Sequence, residues 1–141
     1  MDPILKKLQY KGQPEVFVLK APASFEPQIK SFSEQANVYR QLDDVREMDY
    51  FVVFLTKKEE IDHLTPQIAP LLKGDAVCWM CYPKGSSKKY TCDFNRDTGW
   101  EIMKKYDLVG VSQVAIDEDW SALRFRRREY IKTLTRKFDT H

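Results

Sequence analysis

Glycine is scarce where a cofactor site would need it. The 141-residue chain has five glycines, Gly12, Gly74, Gly85, Gly99 and Gly110. None falls in "LKAPASF" (Leu19–Phe25), the exit of its first strand-like run. A backbone that comes close to a bound nucleotide needs glycine at that exit, because a Cβ would hold the ligand off. An ordinary dinucleotide-type site is therefore not expected, and no cofactor is assigned. Histidine is nearly missing too, with only His63 and His141. Neither stands where a serine–histidine–acid relay could be argued, and the GxSxG and GxxxxGK[ST] patterns are absent. No catalytic residue is assigned, and binding is expected rather than catalysis. Three cysteines, an odd number, do not form the disulfide framework of a small secreted protein. The longest apolar runs, Tyr50–Leu55 and Ala76–Tyr82, fall far short of the about 20 residues that cross a bilayer. The opening "MDPILKKLQYKGQ" has no apolar leader. A cytoplasmic protein without a membrane partner is expected. The net charge of +2 is too near balance to draw a polyanion to the whole surface.

What the chain does have is three short, continuous apolar runs: "VFVL" (Val16–Leu19), "YFVVFL" (Tyr50–Leu55) and "AVCWMCY" (Ala76–Tyr82). Unbroken apolarity rich in β-branched and aromatic residues marks strands covered on both faces, as in a parallel sheet between helices. Ser24–Ser33 reads as a short amphipathic helix. Thr56–Lys73 carries Ile61, Leu64, Ile68, Leu71 and Leu72 at helical spacing, with Pro66 expected to split or kink it after Thr65. "NVYRQL" (Asn37–Leu42) suits a less buried edge strand, and Asp93 is placed as the cap of a helix running to about Tyr106. "LVGVSQVAI" (Leu108–Ile116) and "WSALRFRRR" (Trp120–Arg128), joined by Asp117–Asp119, read as a hairpin. Its second strand places Leu123 and Phe125 on one face and Ala122, Arg124, Arg126 and Arg128 on the other, an edge strand half buried and half wet. The sum is one domain with a core over about residues 14–130 and a charged tail at 131–141. Its class is α/β: a three-layer Rossmann-like, methyltransferase-like, mostly parallel sheet closed by a C-terminal antiparallel hairpin. Too few residues separate Leu42 from Tyr50 for the full set of strand–helix units.

"CWMCYPKGSSKKY" (Cys78–Tyr90) raises the possibility of a metal or redox site. On a strand, however, Cys78 and Cys81 point to opposite faces, whereas a disulfide needs Cβ atoms within about 4.5 Å and structural zinc wants four converging ligands. Both are read as buried apolar residues, and no metal is assigned. The loop after this strand offers Lys84, Ser86 and Ser87 around Gly85, and open α/β sheets bind ligands beyond the carboxyl ends of their strands. Lys20, Thr56 and Trp120 are expected to join them at that edge as a site for a small anion or a protein partner, Trp120 being the one aromatic expected to stay exposed. The basic run Arg124, Arg126 and Arg128, with Lys132, Arg136 and Lys137, offers phosphate contacts, but a solvated strand face explains it equally and is preferred over nucleic acid.

Three stretches taken together, "YKGQPEVFVLKAPASF" (Tyr10–Phe25), "CWMCYPKGSS" (Cys78–Ser87) and "AIDEDWSALRFRRR" (Ala115–Arg128), resemble a bacterial family known only as a domain of unknown function. That family ends a strand in "KAP" before "F", here Lys20–Ala21–Pro22. It ends a central strand in "W-x-x-x-PK", here Trp79 with Pro83 and Lys84, and its hairpin carries "D-x-x-WS-x-L(R)", here Asp117, Trp120, Ser121, Leu123 and Arg124. The resemblance covers roughly residues 5–130 and implies a compact domain similar to the core of methyltransferases, with no assigned activity and no established functional residues. The cysteine-rich "CWMC" departs from the family pattern. The leading expectation is a noncatalytic binding or regulatory domain. A degenerate methyltransferase-like or nucleotide-binding enzyme is the alternative, and a weak nucleic-acid binder is the second.

Overall fold

The computed structural model describes residues 2–45 and 47–131; the expectations placed on Lys132, Arg136, Lys137 and His141 lie outside them. The three apolar runs all become strands. In chain order the elements are helix α1 (Pro3–Lys7), strand β1 (Glu15–Leu19), helix α2 (Glu26–Ser33), strands β2 (Asn37–Tyr39) and β3 (Met48–Phe54), helix α3 (Lys58–Ile68), strand β4 (Leu72–Pro83), helix α4 (Glu101–Lys105), and strands β5 (Leu108–Ala115) and β6 (Trp120–Arg127). The six strands form one sheet in the order β2-β1-β3-β4-β6-β5. β1 to β4 pair in parallel, while β6 runs antiparallel between β4 and β5.

Strict alternation along each strand divides the core into two layers. Phe17, Leu19, Phe51, Val53, Cys78, Met80, Leu123 and Phe125 face Ile61, Leu64 and Ile68 of α3 and Met103 of α4. Val16, Val18, Tyr50, Val52, Trp79, Cys81 and Ala122 face Leu5 and Leu8 of α1 and Ile29 and Phe32 of α2. This is the three-layer α/β architecture the pattern predicts, with Cys78 and Cys81 buried on opposite faces. Burial pushes the Cys78 thiol up to about 12 and Cys81 well above its ordinary value, so both are inert apolar fillers rather than ligands. No cluster of metal-ligating residues occurs among the described residues, and no helix among them is long and apolar enough to cross a membrane.

Two buried donors on the second face are satisfied at one point, while Trp120 Nε1 on the same face is buried with no partner among the described residues. Leu8 O, at the end of α1, accepts from Tyr50 Oη at 2.6 Å and from Trp79 Nε1 at 2.8 Å, both buried. Two aromatic side chains thus bury their full apolar area without orphaning a donor.

Four local expectations need correcting. First, β6 is not an edge strand: β5 covers its outer side, so Ser121 and Ala122 are buried. Second, α3 runs through Pro66 without a break. It ends in a 3-10 turn at Ala69–Leu71 that takes Pro70 at its start, where a missing N–H costs nothing. Third, β4 begins at Leu72, ahead of Gly74, which lies in an irregular stretch at φ +54 where the register with β3 jumps from Leu72 to Val77. Fourth, the helix expected from Asp93 shrinks to Glu101–Lys105. Asp93 does cap a helix, but a different one: its Oδ1 accepts from Lys58 N at 2.7 Å, at the start of α3. The chain between is set by the Asn95 side chain, which accepts from Asp97 N and Thr98 N, and by Gly99 at φ +98. A Cβ on Gly99 would meet Phe94 Cβ at 2.7 Å. Phe94 and Trp100, edge to face at 5.2 Å, then plug the first core layer where helix was expected.

Candidate functional site

The carboxyl ends of β1, β3 and β4 and the start of the antiparallel β6 meet at one rim, the edge where open α/β sheets take ligands. The chain leaves β1 through Lys20, a non-glycine residue at φ +59. Lys20 Nζ reaches Glu60 Oε2 at 2.9 Å, across to the first turn of α3. The other carboxylate oxygen, Glu60 Oε1, accepts from Thr56 N at 2.9 Å and Lys57 N at 3.1 Å. It thereby satisfies two donors that the helix start leaves open. Burial alone would raise the Glu60 carboxyl; the Thr56 amide, Lys20 and Lys57 outweigh it and hold it below its ordinary value. Lys20 and Thr56 are thus brought together, as expected of site residues, but through an internal carboxylate that takes up their charge and their amide.

The lysine loop is also tied down. Lys84 N donates to Asp119 O at 2.8 Å, and Ser87 Oγ donates to Asp119 Oδ1 at 2.8 Å while accepting from Lys89 N and Tyr90 N. Asp117 Oδ1 accepts from Asp119 N and Trp120 N and fixes the hairpin turn against which the loop rests. Ser86 is exposed and Lys84 half-buried. The hollow beside them is shared by Lys88 and Lys89 with Glu118 and Asp119, so its charge is mixed rather than anion-seeking.

Trp120 is the expectation the structure overturns: it is 3% exposed. Its ring packs edge to face on Phe54 at 5.1 Å and against Tyr90 at 4.9 Å. The loop from β4 closes over it, so no stacking platform is left. The two-residue period put it on the face of Ala122 and the arginines, so local pattern gave no signal for its burial.

What stays open at this rim is a groove of about 640 Å³ beside α3. Leu19, Leu42 and Leu64 give it an apolar floor, and the Lys20–Glu60 pair, His63 and Gln67 give it a polar border. Gln67 Nε2 lies 3.0 Å from His63 Nε2 and also donates to His63 O at 3.2 Å. The histidine therefore faces an amide rather than a carboxylate. Sequence reasoning missed Glu60, His63 and Gln67 as a group; the acidic first turn of α3 and the i, i+4 spacing of His63 and Gln67 were the signals.

The basic run sits elsewhere. Because β6 is antiparallel, Arg124, Arg126 and Arg128 lie toward the amino ends of the parallel strands, away from Lys84. Arg126 holds Asp75 bidentately at 2.9 and 2.6 Å. Arg127 Nη2 caps the carbonyls of Ala69 and Leu72, and Arg128 pairs with Asp107 at 3.4 Å. Arg126 and Arg128 on the wet face thus engage carboxylates of the same chain.

No protein-family model and no curated protein matches the chain. Among solved structures it is similar to a Sulfolobus solfataricus protein assigned as a type 11 methyltransferase, with a TM-score of 0.51 at 7% identity, covering 93% of this chain and 92% of that one. An RNA methyltransferase from Salinibacter ruber, solved in complex with S-adenosyl-L-homocysteine, gives 0.49 at 10% identity, with 95% and 94% covered. A protein of the NADB-Rossmann superfamily from Streptococcus agalactiae gives 0.49 at 11% identity, with 97% and 72% covered. At such identities the likeness is one of fold, and the fold is the Rossmann-like one of methyltransferases.

Proposed function

We propose that this protein is a noncatalytic binding domain: a methyltransferase-like sheet whose cofactor exit has been closed and whose ligand site is the groove beside α3. The observation that carries this reading is the Lys20–Glu60 bridge. It spans the point after β1 where a cofactor-binding chain keeps glycines and open backbone amides. Here the position holds a lysine side chain, and the amides of Thr56 and Lys57, at the end of the neighbouring strand, donate to Glu60. A phosphate-bearing cofactor brought to this rim would have to break the bridge and face the Glu60 carboxylate, and S-adenosylmethionine, which is net positive, would have to displace Lys20 from it. The groove that remains has an apolar floor, with the Lys20–Glu60 pair and the Glu59 carboxylate at its border, which suits a small neutral or cationic ligand with one or two hydrogen-bonding groups. His63, bonded by an amide, has no carboxylate partner to set it up as a base.

The alternative of a degenerate methyltransferase-like enzyme makes the opposite forecast at the same rim. Isothermal titration with S-adenosylmethionine and S-adenosylhomocysteine separates the two: no saturable heat is expected up to millimolar concentration. An amide-resolved NMR screen with neutral small-molecule fragments should shift Lys20, Leu42, His63 and Gln67 as one group. Stoichiometric binding of S-adenosylmethionine, with shifts centred on residues 19–23, would sink the proposal.

A further inference from the structure

At the opposite, amino edge of the sheet lies a second hollow, of about 340 Å³, walled by Asp75 and Val77 of β4, Arg124 and Arg126 of β6, and Gln9 and Lys11 from the turn after α1. Three cations and one carboxylate share it. That carboxylate is committed: Asp75 receives both arms of Arg126, whose Nη2 also reaches Tyr130 O at 3.1 Å. Arg124 is left with a neutral partner only. Its Nη1 donates to Gln9 Oε1, while its Nε is shut off from solvent and has no acceptor among the described residues. Gln9 is held in place for this contact by a left-handed backbone, at φ +59. The backbone of the same turn is braced by Gln13, whose Oε1 accepts from Lys11 N at 2.9 Å.

A guanidinium taken partly out of water and given no ion pair of its own is costly. Burial pulls the Arg124 group down from its ordinary value and the neighbouring Arg126 pulls it further, while Asp75, held by Arg126, offsets only part of this. With Nε shut off from solvent and one Nη1 hydrogen given to Gln9, the remaining Nη1 and Nη2 hydrogens form the fork that would match two oxygens of one oxyanion. Lys11, exposed at the mouth, adds a mobile positive charge. We propose that this pocket binds a small oxyanion, the phosphate or carboxylate group of a soluble ligand, on the Arg124 guanidinium. The site is independent of the groove beside α3, since it lies at the other end of the strands and shares no residue with it. Its volume of about 340 Å³ admits a phosphomonoester or a dicarboxylate.

The test is titration of the full chain at low ionic strength with inorganic phosphate, with succinate, and with sodium chloride at matched ionic strength as the control. Phosphate or succinate, and not chloride, should bind at one site per chain. Arg124→Gln should weaken binding at least about tenfold, the cost of a lost charge-assisted fork, and Lys11→Ala about threefold. Lys30→Ala, on the far side of α2, should change nothing. Phosphate alone binding assigns the ligand to the phosphate class, and succinate alone to the carboxylates. Failure of both anions to bind overturns the proposal, as does binding that Arg124→Gln and Lys11→Ala leave unchanged. Should Arg124→Gln lose its cooperative melt, Lys11→Ala decides alone, and an unaltered affinity in that variant overturns the proposal.

Discussion

The two edges of the sheet use their charged side chains in different ways. At the carboxyl edge three carboxylates are engaged by partners nearby in space: Glu60 by Lys20, Asp119 by Ser87 and Asp93 by the amide of Lys58. At the amino edge Arg126 and Asp75 pair with each other and leave Arg124 with no ion pair among the described residues. The difference teaches that the location of an edge in a fold does not decide its chemistry. A rim whose charges are paired offers only its apolar floor and spare amides. A rim with a guanidinium left over offers a strong, directional demand for oxygen. The edge where this fold customarily holds its ligand is the one where the Lys20 charge is paired.

The contrast can be broken most violently at Trp120. If the carboxyl edge is closed as described, Trp120→Ala empties a packed site between Phe54 and Tyr90 and should cost about 4 kcal/mol in chemical denaturation. A cost below about 1 kcal/mol would mean that the ring lies on the surface and that the edge is open. Glu60 sharpens the comparison next. Glu60→Gln keeps the side chain's shape but weakens its bonds to Lys20 and the two amides, and should cost about 1–2 kcal/mol at neutral pH. The folded carboxyl lies below its ordinary value of 4.5, so its contribution is complete above that value and is lost as pH falls through the lowered one. Thermal melts of the two proteins should therefore differ above pH 5 and converge as the pH is taken down below 4.5; a gap that persists in acid would assign the effect to something other than this carboxylate. The smallest effect belongs to Lys84. Its backbone, not its side chain, bonds Asp119, so Lys84→Ala should stay within about 0.5 kcal/mol of the parent. A larger loss would reopen the lysine loop as an organised site.

Much of the fold was legible because it rests on local pattern. The runs at Val16, Tyr50 and Ala76 became the parallel strands, and Asn37–Tyr39 became the outer strand beyond β1. The odd spacing of Cys78 and Cys81 put them on opposite faces, which removed metal chemistry from consideration at that pair. The Asp117 turn closed the hairpin as read. The site was less legible. Lys20 and Thr56 were placed at the right edge, but the residue that joins them lies 40 positions from Lys20. Asp93 was recognised as a cap but assigned to the wrong helix, because a carboxylate cannot disclose which amide, 35 residues away, it will meet. Trp120 read as exposed because it opens a strand next to an acidic turn; it is buried because the β4 loop folds back over it.

By itself, the sequence determined which segments are strands, which side chains share a face and where the chain turns, since these follow from side-chain size, β-branching and a two-residue period that any six or seven neighbours display. The tertiary structure alone decided that β6 is interior, that the Lys20 charge is cancelled by Glu60 and that the Arg124 charge is not. Those outcomes depend on which strands become neighbours and which ionised groups are drawn out of water together, and contacts between residues 40 to 115 positions apart leave no trace in a local pattern.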